Sequence, residues 1–402
     1  MKRWLCPILA IILLMTAIGV NGCKNTGAQD GESPDDTSGG VFLEMLALIP
    51  DLPGIREYVQ ITDYTRIREL LDIARPAADV SEEVIRDYIL ALTYGPPDTP
   101  LHPKASFLSG SDGLQNPVRR QNTGFGPQDI NADIAGGVKP DSYLPSPYEA
   151  IKGHFDFPDV DDAMGSYDES LTPEIGSYQG ITTYTWDHSP NLERRLVPPI
   201  FDKEGRGSSL AVQDEYVFLA YTPDNLANMI DASQGNIPSL ADNPDFRVMA
   251  TAFTEMGAHS VILSESGLKD IPFFTDSLLW MYGINDSVTR EEIITEASPL
   301  LSYYRTFGVG IGYDDEGLFI TIVLVYDGPQ QAEADVDVFE QHIEENTSLY
   351  LETPWRDIVD SYEVWADGRS LRAVLRGDIL VDWLSIFYYS DTLLVCENEP
   401  QE

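Results

Sequence analysis

Residues 1–23 decide where, and under what conditions, the rest of the chain folds. Lys2 and Arg3 form a short positive head, and residues 4–20 make a 17-residue apolar run interrupted only by Pro7, Thr16 and Gly19. A basic head followed by such a run is the pattern of a secretion signal. The body is therefore expected to fold after export, where disulfides persist, yet its cysteine usage denies it that support. Cys6 lies within the signal, Cys23 stands at its end, and only Cys396 remains. A lone thiol of this kind is most simply a small hydrophobe. The body must be held by core burial alone, and 402 residues leave room for two domains or one large one.

The signal ends in Val20-Asn21-Gly22-Cys23. An aliphatic residue, a small residue and then a cysteine at these positions resemble the lipobox of bacterial lipoprotein precursors. The resemblance covers residues 1–23 only. It implies cleavage before Cys23, a diacylglyceryl group on the Cys23 sulfur, and an extracytoplasmic protein anchored by lipid to the cell membrane or envelope. Two plainer outcomes stay open. Ala17-Ile18-Gly19 fits an ordinary small-x-small cleavage site, and 17 apolar residues sit at the short limit of the roughly 17–25 that span a bilayer as an uncleaved anchor.

Charge is the strongest global feature. The chain carries 25 basic and 66 acidic residues, a formal charge of −41, which becomes −43 once Lys2 and Arg3 leave with the signal. Such a surface repels nucleic acid and anionic headgroups, which excludes a nucleic-acid partner and leaves a basic protein or a small ligand open. Screening by counter-ions outside the cell is the simplest account of the excess.

Along the chain, residues 24–40 lack any large aliphatic side chain and form, with Cys23, a lipidated flexible tether. Helices are predicted around 42–49, from Tyr64 with Ile67, Leu70 and Leu71 inward, and from Ser81 with Val84, Ile85, Tyr88, Ile89 and Leu92 inward. Residues 95–147 carry nine prolines and many glycines, and are expected to form a flexible cover with one short helix at 128–134. Strands are predicted at 57–62, 151–157, 181–186, 210–213, 215–221 and 260–263. Between the last two, Thr222-Pro223 and Asn243-Pro244 each open a helix. A capping box at Thr289 and Glu292 starts another helix. Hairpins follow at 307–326 and 362–375, the second with a type I′ turn at Asp367-Gly368, and a helix starts at Pro329 between them. The resulting fold class is α+β, with two antiparallel sheet-and-helix units at 41–265 and 266–402. Glu57-Tyr58-Val59 and Glu215-Tyr216-Val217, each leading into a helix, suggest a weak internal repeat.

No catalytic, cofactor or metal residue is assigned. His154, Asp156, Asp159, Asp161 and Asp162 offer hard oxygen and nitrogen ligands, but their spacing matches no EF-hand, and acidic clusters arise by chance in so acidic a chain. Gly308, Gly310 and Gly312 alternate on one strand face, where a bare surface lets a helix approach rather than cradling a phosphate. Arg194, Arg195, Lys203 and Arg206 form one basic island, and Arg356, Arg369, Arg372 and Arg376 another. In this background internal pairing is favoured over ligand binding. There is no G-x-S-x-G motif, and Asp187-His188-Ser189 are neighbours in sequence, unlike triad members, which meet through the fold. Cys23, as the lipid attachment site, is the one site residue. The function expected is a non-catalytic binding or structural role at the cell envelope. The alternative is an extracytoplasmic hydrolase using carboxylates beneath residues 95–147.

Overall fold

The computed structural model describes residues 39–77, 80–95, 123–137, 148–167, 172–186, 209–265, 297, 299–348, 351–377, 383, 386 and 392–397. The signal, Cys23, the first basic island, Asp187-His188-Ser189 and the capping box at Thr289 lie outside them. No described helix is long and apolar enough to cross a membrane.

The described helices are α1 (Gly40–Leu46), α2 (Tyr64–Leu71), α3 (Glu82–Tyr94), α4 (Phe157–Gly165), α5 (Pro223–Ser233), α6 (Pro244–Glu255) and α7 (Pro329–Glu345). The strands are β1 (Val59–Asp63), β2 (Ile130–Gly136), β3 (Tyr148–Gly153), β4 (Glu174–Tyr178), β5 (Ile181–Thr185), β6 (Ser209–Gln213), β7 (Tyr216–Ala220), β8 (Ala258–Ser264), β9 (Thr306–Asp314), β10 (Gly317–Val325), β11 (Thr347–Ser348), β12 (Thr353–Pro354), β13 (Val359–Asp367) and β14 (Ser370–Gly377). Twelve of them form one antiparallel sheet in the order β13-β14-β10-β9-β8-β1-β2-β3-β7-β6-β5-β4, and β11 pairs with β12. The fold is α+β. The expected division into two sheets at residue 265 gives way to a single one, because β8 bonds β1 on one side and β9 on the other. Residues on both sides of the division thus share its centre.

Helices cover both faces. On the first face α1, α5 and α6 bury Phe42, Met45, Leu226, Met229, Phe246, Met249 and Phe253 against Val59, Ile61, Ile134, Ala150, Phe218, Val261 and Leu263. On the second, α7 lies over β13 and β14 and buries Phe339 and Ile343 in a core shared with β9 and β10, with Trp355, Trp383 and Leu394 alongside. Beside them Ile67, Tyr88, Leu92, Val160 and Met164 of α2, α3 and α4 pack on Ile151, Val217 and Tyr184. A buried polar strip runs between these two second-face cores. In it Thr62 shares a hydrogen bond with Ser260 (3.2 Å), Tyr58 donates to Gln60 (2.9 Å) and Tyr64 donates to Asp133 (2.9 Å). Tyr58 and Tyr216 sit on opposite faces, as do the helices that follow them.

Local sequence sets most helix starts. The Thr222 side chain accepts from the Asn225 amide (3.2 Å), and Asn243 accepts from the amides of Asp245 and Phe246 (3.0 and 3.4 Å), each followed by proline at the first helical position. In α7, Gln331 reaches back to the Gly328 amide (3.2 Å).

Several expectations are corrected. The helix placed at 128–134 is strand β2, at the centre of the sheet between β1 and β3: Ala132 and Ile134 pack on the first face, and a bulge after Ile130 turns that residue to the second. Part of residues 95–147 is therefore core, not cover. The folded body starts before residue 41, because Gly39 is buried and its carbonyl accepts from Thr254 Oγ1 (2.7 Å), so residues 39 and 40 do not belong to the expected tether. In α2 the inward position goes to Arg68 rather than to Leu70, and Val84 is 44% exposed. The β13–β14 turn has positive φ at Gly368 alone, with Asp367 paired to Ser370, which is the type II′ pattern instead of I′.

Candidate functional site

The structure disperses the proposed cation ligands. β3 ends at Gly153, Asp156 precedes α4, and His154, Asp159 and Asp162 are exposed, while Asp161 accepts from the Tyr184 hydroxyl (2.8 Å). Among the described residues no three His, Cys, Asp or Glu side chains come together as a metal site. In the described part of 95–147, Asp133 is hydrogen-bonded by Tyr64, and Asp129 accepts from the Gly126 amide (2.8 Å). Cys396 is half-buried against the α7 core.

The second basic island is spread along an ion-paired seam. Arg369 meets Asp245 at the start of α6 (2.5 Å), where Arg305 also reaches it (3.2 Å). Arg372 meets Glu255 at the end of the same helix and Asp367 at its own hairpin turn, both at 2.6 Å. Arg356 lies 4.0 Å from Asp357. The arginines thus clamp α6 across β14 and β10. The glycine stripe lies beneath that helix: a Cβ at Gly308 or Gly310 would meet the Phe253 ring of α6 at 2.7 and 3.1 Å.

The third glycine helps to build a cleft. Gly312 is paired with Phe319, and a Cβ at Gly312 would stand 2.3 Å from Phe319 Cζ, so the bare strand is what lets that ring lie flat. Over the ring, 4.9 Å from its centre, lies the Arg376 guanidinium. Arg376 donates to Asp314 (2.6 Å) and lies 3.4 Å from Glu316, which ties β14 to the β9–β10 turn. The resulting cleft, ≈ 1200 Å³, is lined by Leu70, Met256, Tyr313, Tyr362 and Val374 as well as Phe319. Around these stand five carboxylates, Glu69, Asp314, Asp315, Glu316 and Glu363, against the two arginines Arg66 and Arg376.

Its electrostatics follow from the partners. Partial burial works against the Asp314 carboxylate, but Arg376 and the amides of Glu316 and Gly317 outweigh it and hold its carboxyl below the ordinary range. Burial and the Glu344 carboxylate, which accepts from its hydroxyl at 2.9 Å, push Tyr362 up to about 12. No sequence signal singles out this cleft, since its walls come from α2, α6, the β9–β10 turn, β13 and β14. The Gly312 alternation was its one visible trace.

Fold and cleft together define an α+β protein with a twelve-stranded antiparallel sheet and a charged, aromatic-floored cleft at the β9–β10 turn. No family model and no curated protein sequence matches the chain. Among solved structures it is similar to crystal form III of TP0453, at 9% identity and a TM-score of 0.36 over 85% of this chain and 97% of that one. It is likewise similar to crystal form I, at 8% identity and 0.37 over 86% and 97%.

Proposed function

We propose that the protein is an exported lipoprotein, held to the cell membrane or envelope through Cys23, whose folded body is a non-catalytic binding module. The observation that carries the anchor is Val20-Asn21-Gly22-Cys23 at the end of the basic-headed apolar run. Export also suits a body whose only other thiol after the signal is Cys396. The cleft is the binding site on this reading. Its carboxylate excess and the Phe319 floor favour a basic ligand with an apolar or aromatic part, and the charge of the whole chain draws such ligands in. Asp314 and Glu316, being committed to Arg376, support binding over acid–base chemistry.

Two measurements test the parts separately. Cys23→Ala abolishes labelling by fatty acid and releases the protein from the membrane fraction; retained label or retained membrane association in the variant contradicts the anchor. For the cleft, titration of the full chain with arginine amide is saturable and is weakened by Phe319→Leu. Unchanged affinity in that variant, or no binding by either protein, contradicts the assignment.

A further inference from the structure

Two arginines of this protein are buried to the same extent and treated differently. Arg372, 7% exposed, has two carboxylates at 2.6 Å; Arg68, 8% exposed, has none within 4.0 Å among the described residues. Arg68 is held by neutral acceptors alone. Its Nη1 donates to the Ile130 carbonyl (2.9 Å) and the Tyr88 hydroxyl (3.2 Å), and its Nη2 donates to Thr65 Oγ1 and Asn131 Oδ1 (both 2.9 Å). A second guanidinium, that of the exposed Arg75, donates to the same Asn131 oxygen and is also without a carboxylate in contact among the described residues. Burial, followed by repulsion from Arg68, lowers the Arg75 pKa below its ordinary value. Asp63 and Asp129 act on this pair only at longer range.

Burying a cation without a counter-charge is costly, and in a chain with 66 acidic residues a carboxylate partner would be easy to supply. Tyr88 adds a second, independent sign. Tyr88 is 5% exposed, its hydroxyl accepts from Arg68, and among the described residues its own proton has no acceptor beside the two guanidiniums. A buried cation lacking a counter-charge, an exposed guanidinium with donors to spare, and a buried O–H lacking an acceptor would all be satisfied by one anionic oxygen group.

We propose that Arg68, Arg75 and Tyr88 form a binding site for a small oxyanion, with Asn131 holding the two guanidiniums together. Arg68 supplies fixed positive charge from below, Arg75 closes on the anion from the solvent side, and Tyr88 donates to it. This site does not line the cleft and stands independently of the cleft's proposed role. A phosphoryl group and a carboxylate share the required chemistry.

The test is calorimetric titration of the full chain with inorganic phosphate and, separately, with acetate, ionic strength being held constant with chloride. Saturable binding of either is expected, weakened at least tenfold in Arg75→Gln and severalfold in Tyr88→Phe, and unchanged in Arg86→Gln, a change at an exposed arginine on the outside of α3. Binding by phosphate alone assigns the site to a phosphoryl ligand, and binding by acetate alone to a carboxylate. No saturable binding by either anion, equal binding by Arg75→Gln, or equal loss in Arg86→Gln overturns the proposal.

Discussion

Gly308→Ala places a single methyl group where α6 meets the sheet. The new Cβ stands 2.7 Å from Phe253 Cε2, 2.9 Å from Phe253 Cζ and 2.9 Å from Leu263 Cδ2, against an optimum of about 3.5–4.0 Å for carbon pairs. Phe253 and Leu263 are both 0% exposed, so neither can swing into solvent, and α6 is fixed at both ends by Asp245 and Glu255. Overpacking of this kind costs about 1–3 kcal/mol. Alanine's lower backbone entropy cost in a strand returns about 0.5–1 kcal/mol. The steric effect outweighs this over most of the range, leaving a net loss of about 1 kcal/mol and at most about 2.5 kcal/mol. In urea unfolding the midpoint falls with the slope unchanged. Phe253→Leu in the same background recovers part of the loss, with a coupling of at least about 0.5 kcal/mol in the double-mutant cycle. A variant as stable as the parent, or a cycle with no coupling, refutes the close packing of α6 on the glycine stripe.

Other expected outcomes follow from single contacts. Asn243→Ala removes the acceptor for two orphan amides of α6 and costs about 1 kcal/mol, measurable by urea unfolding. Phe339→Ala empties a fully buried position between α7 and the sheet and costs about 3–5 kcal/mol by the same assay. The Asp314 carboxyl is depressed in the folded state, so the stability it contributes is present above its unfolded pKa and disappears as pH falls through the lower folded one. Asp314→Asn therefore loses stability at neutral pH and converges on the parent in acid below 3.8, as followed by unfolding across a pH series.

What the sequence revealed depended on whether a signal was local. The β9–β10 hairpin and the caps at Thr222 and Asn243 are written in adjacent residues, and so were visible before any tertiary contact was known. β2 is not legible as a strand because a bulge after Ile130 leaves only Ala132 and Ile134 on one face, too short a run to assert period two among prolines and glycines; β1 and β3 decide its conformation. β4 went unseen because residues 174–177 of this edge strand are exposed, and Ile175, 58% exposed, has no buried neighbour in its own sequence to set a pattern. Arg68 was hidden for the opposite reason. It lies next to Ile67 on the buried side of α2, where pattern reasoning assigns a charge outward, and only the Ile130 carbonyl and Asn131 from β2 explain its position. The cleft joins residues more than three hundred positions apart, Arg66 and Arg376, a juxtaposition that no local period encodes.

The lipid anchor proposed at Cys23 can be read from the intact mass of the protein extracted from membranes. The expected mass is that of residues 23–402 with a diacylglyceryl adduct on the first residue, an adduct lost in Cys23→Ala. A mass corresponding to a chain that begins just after Gly19, or one that retains Met1 without lipid, would contradict it.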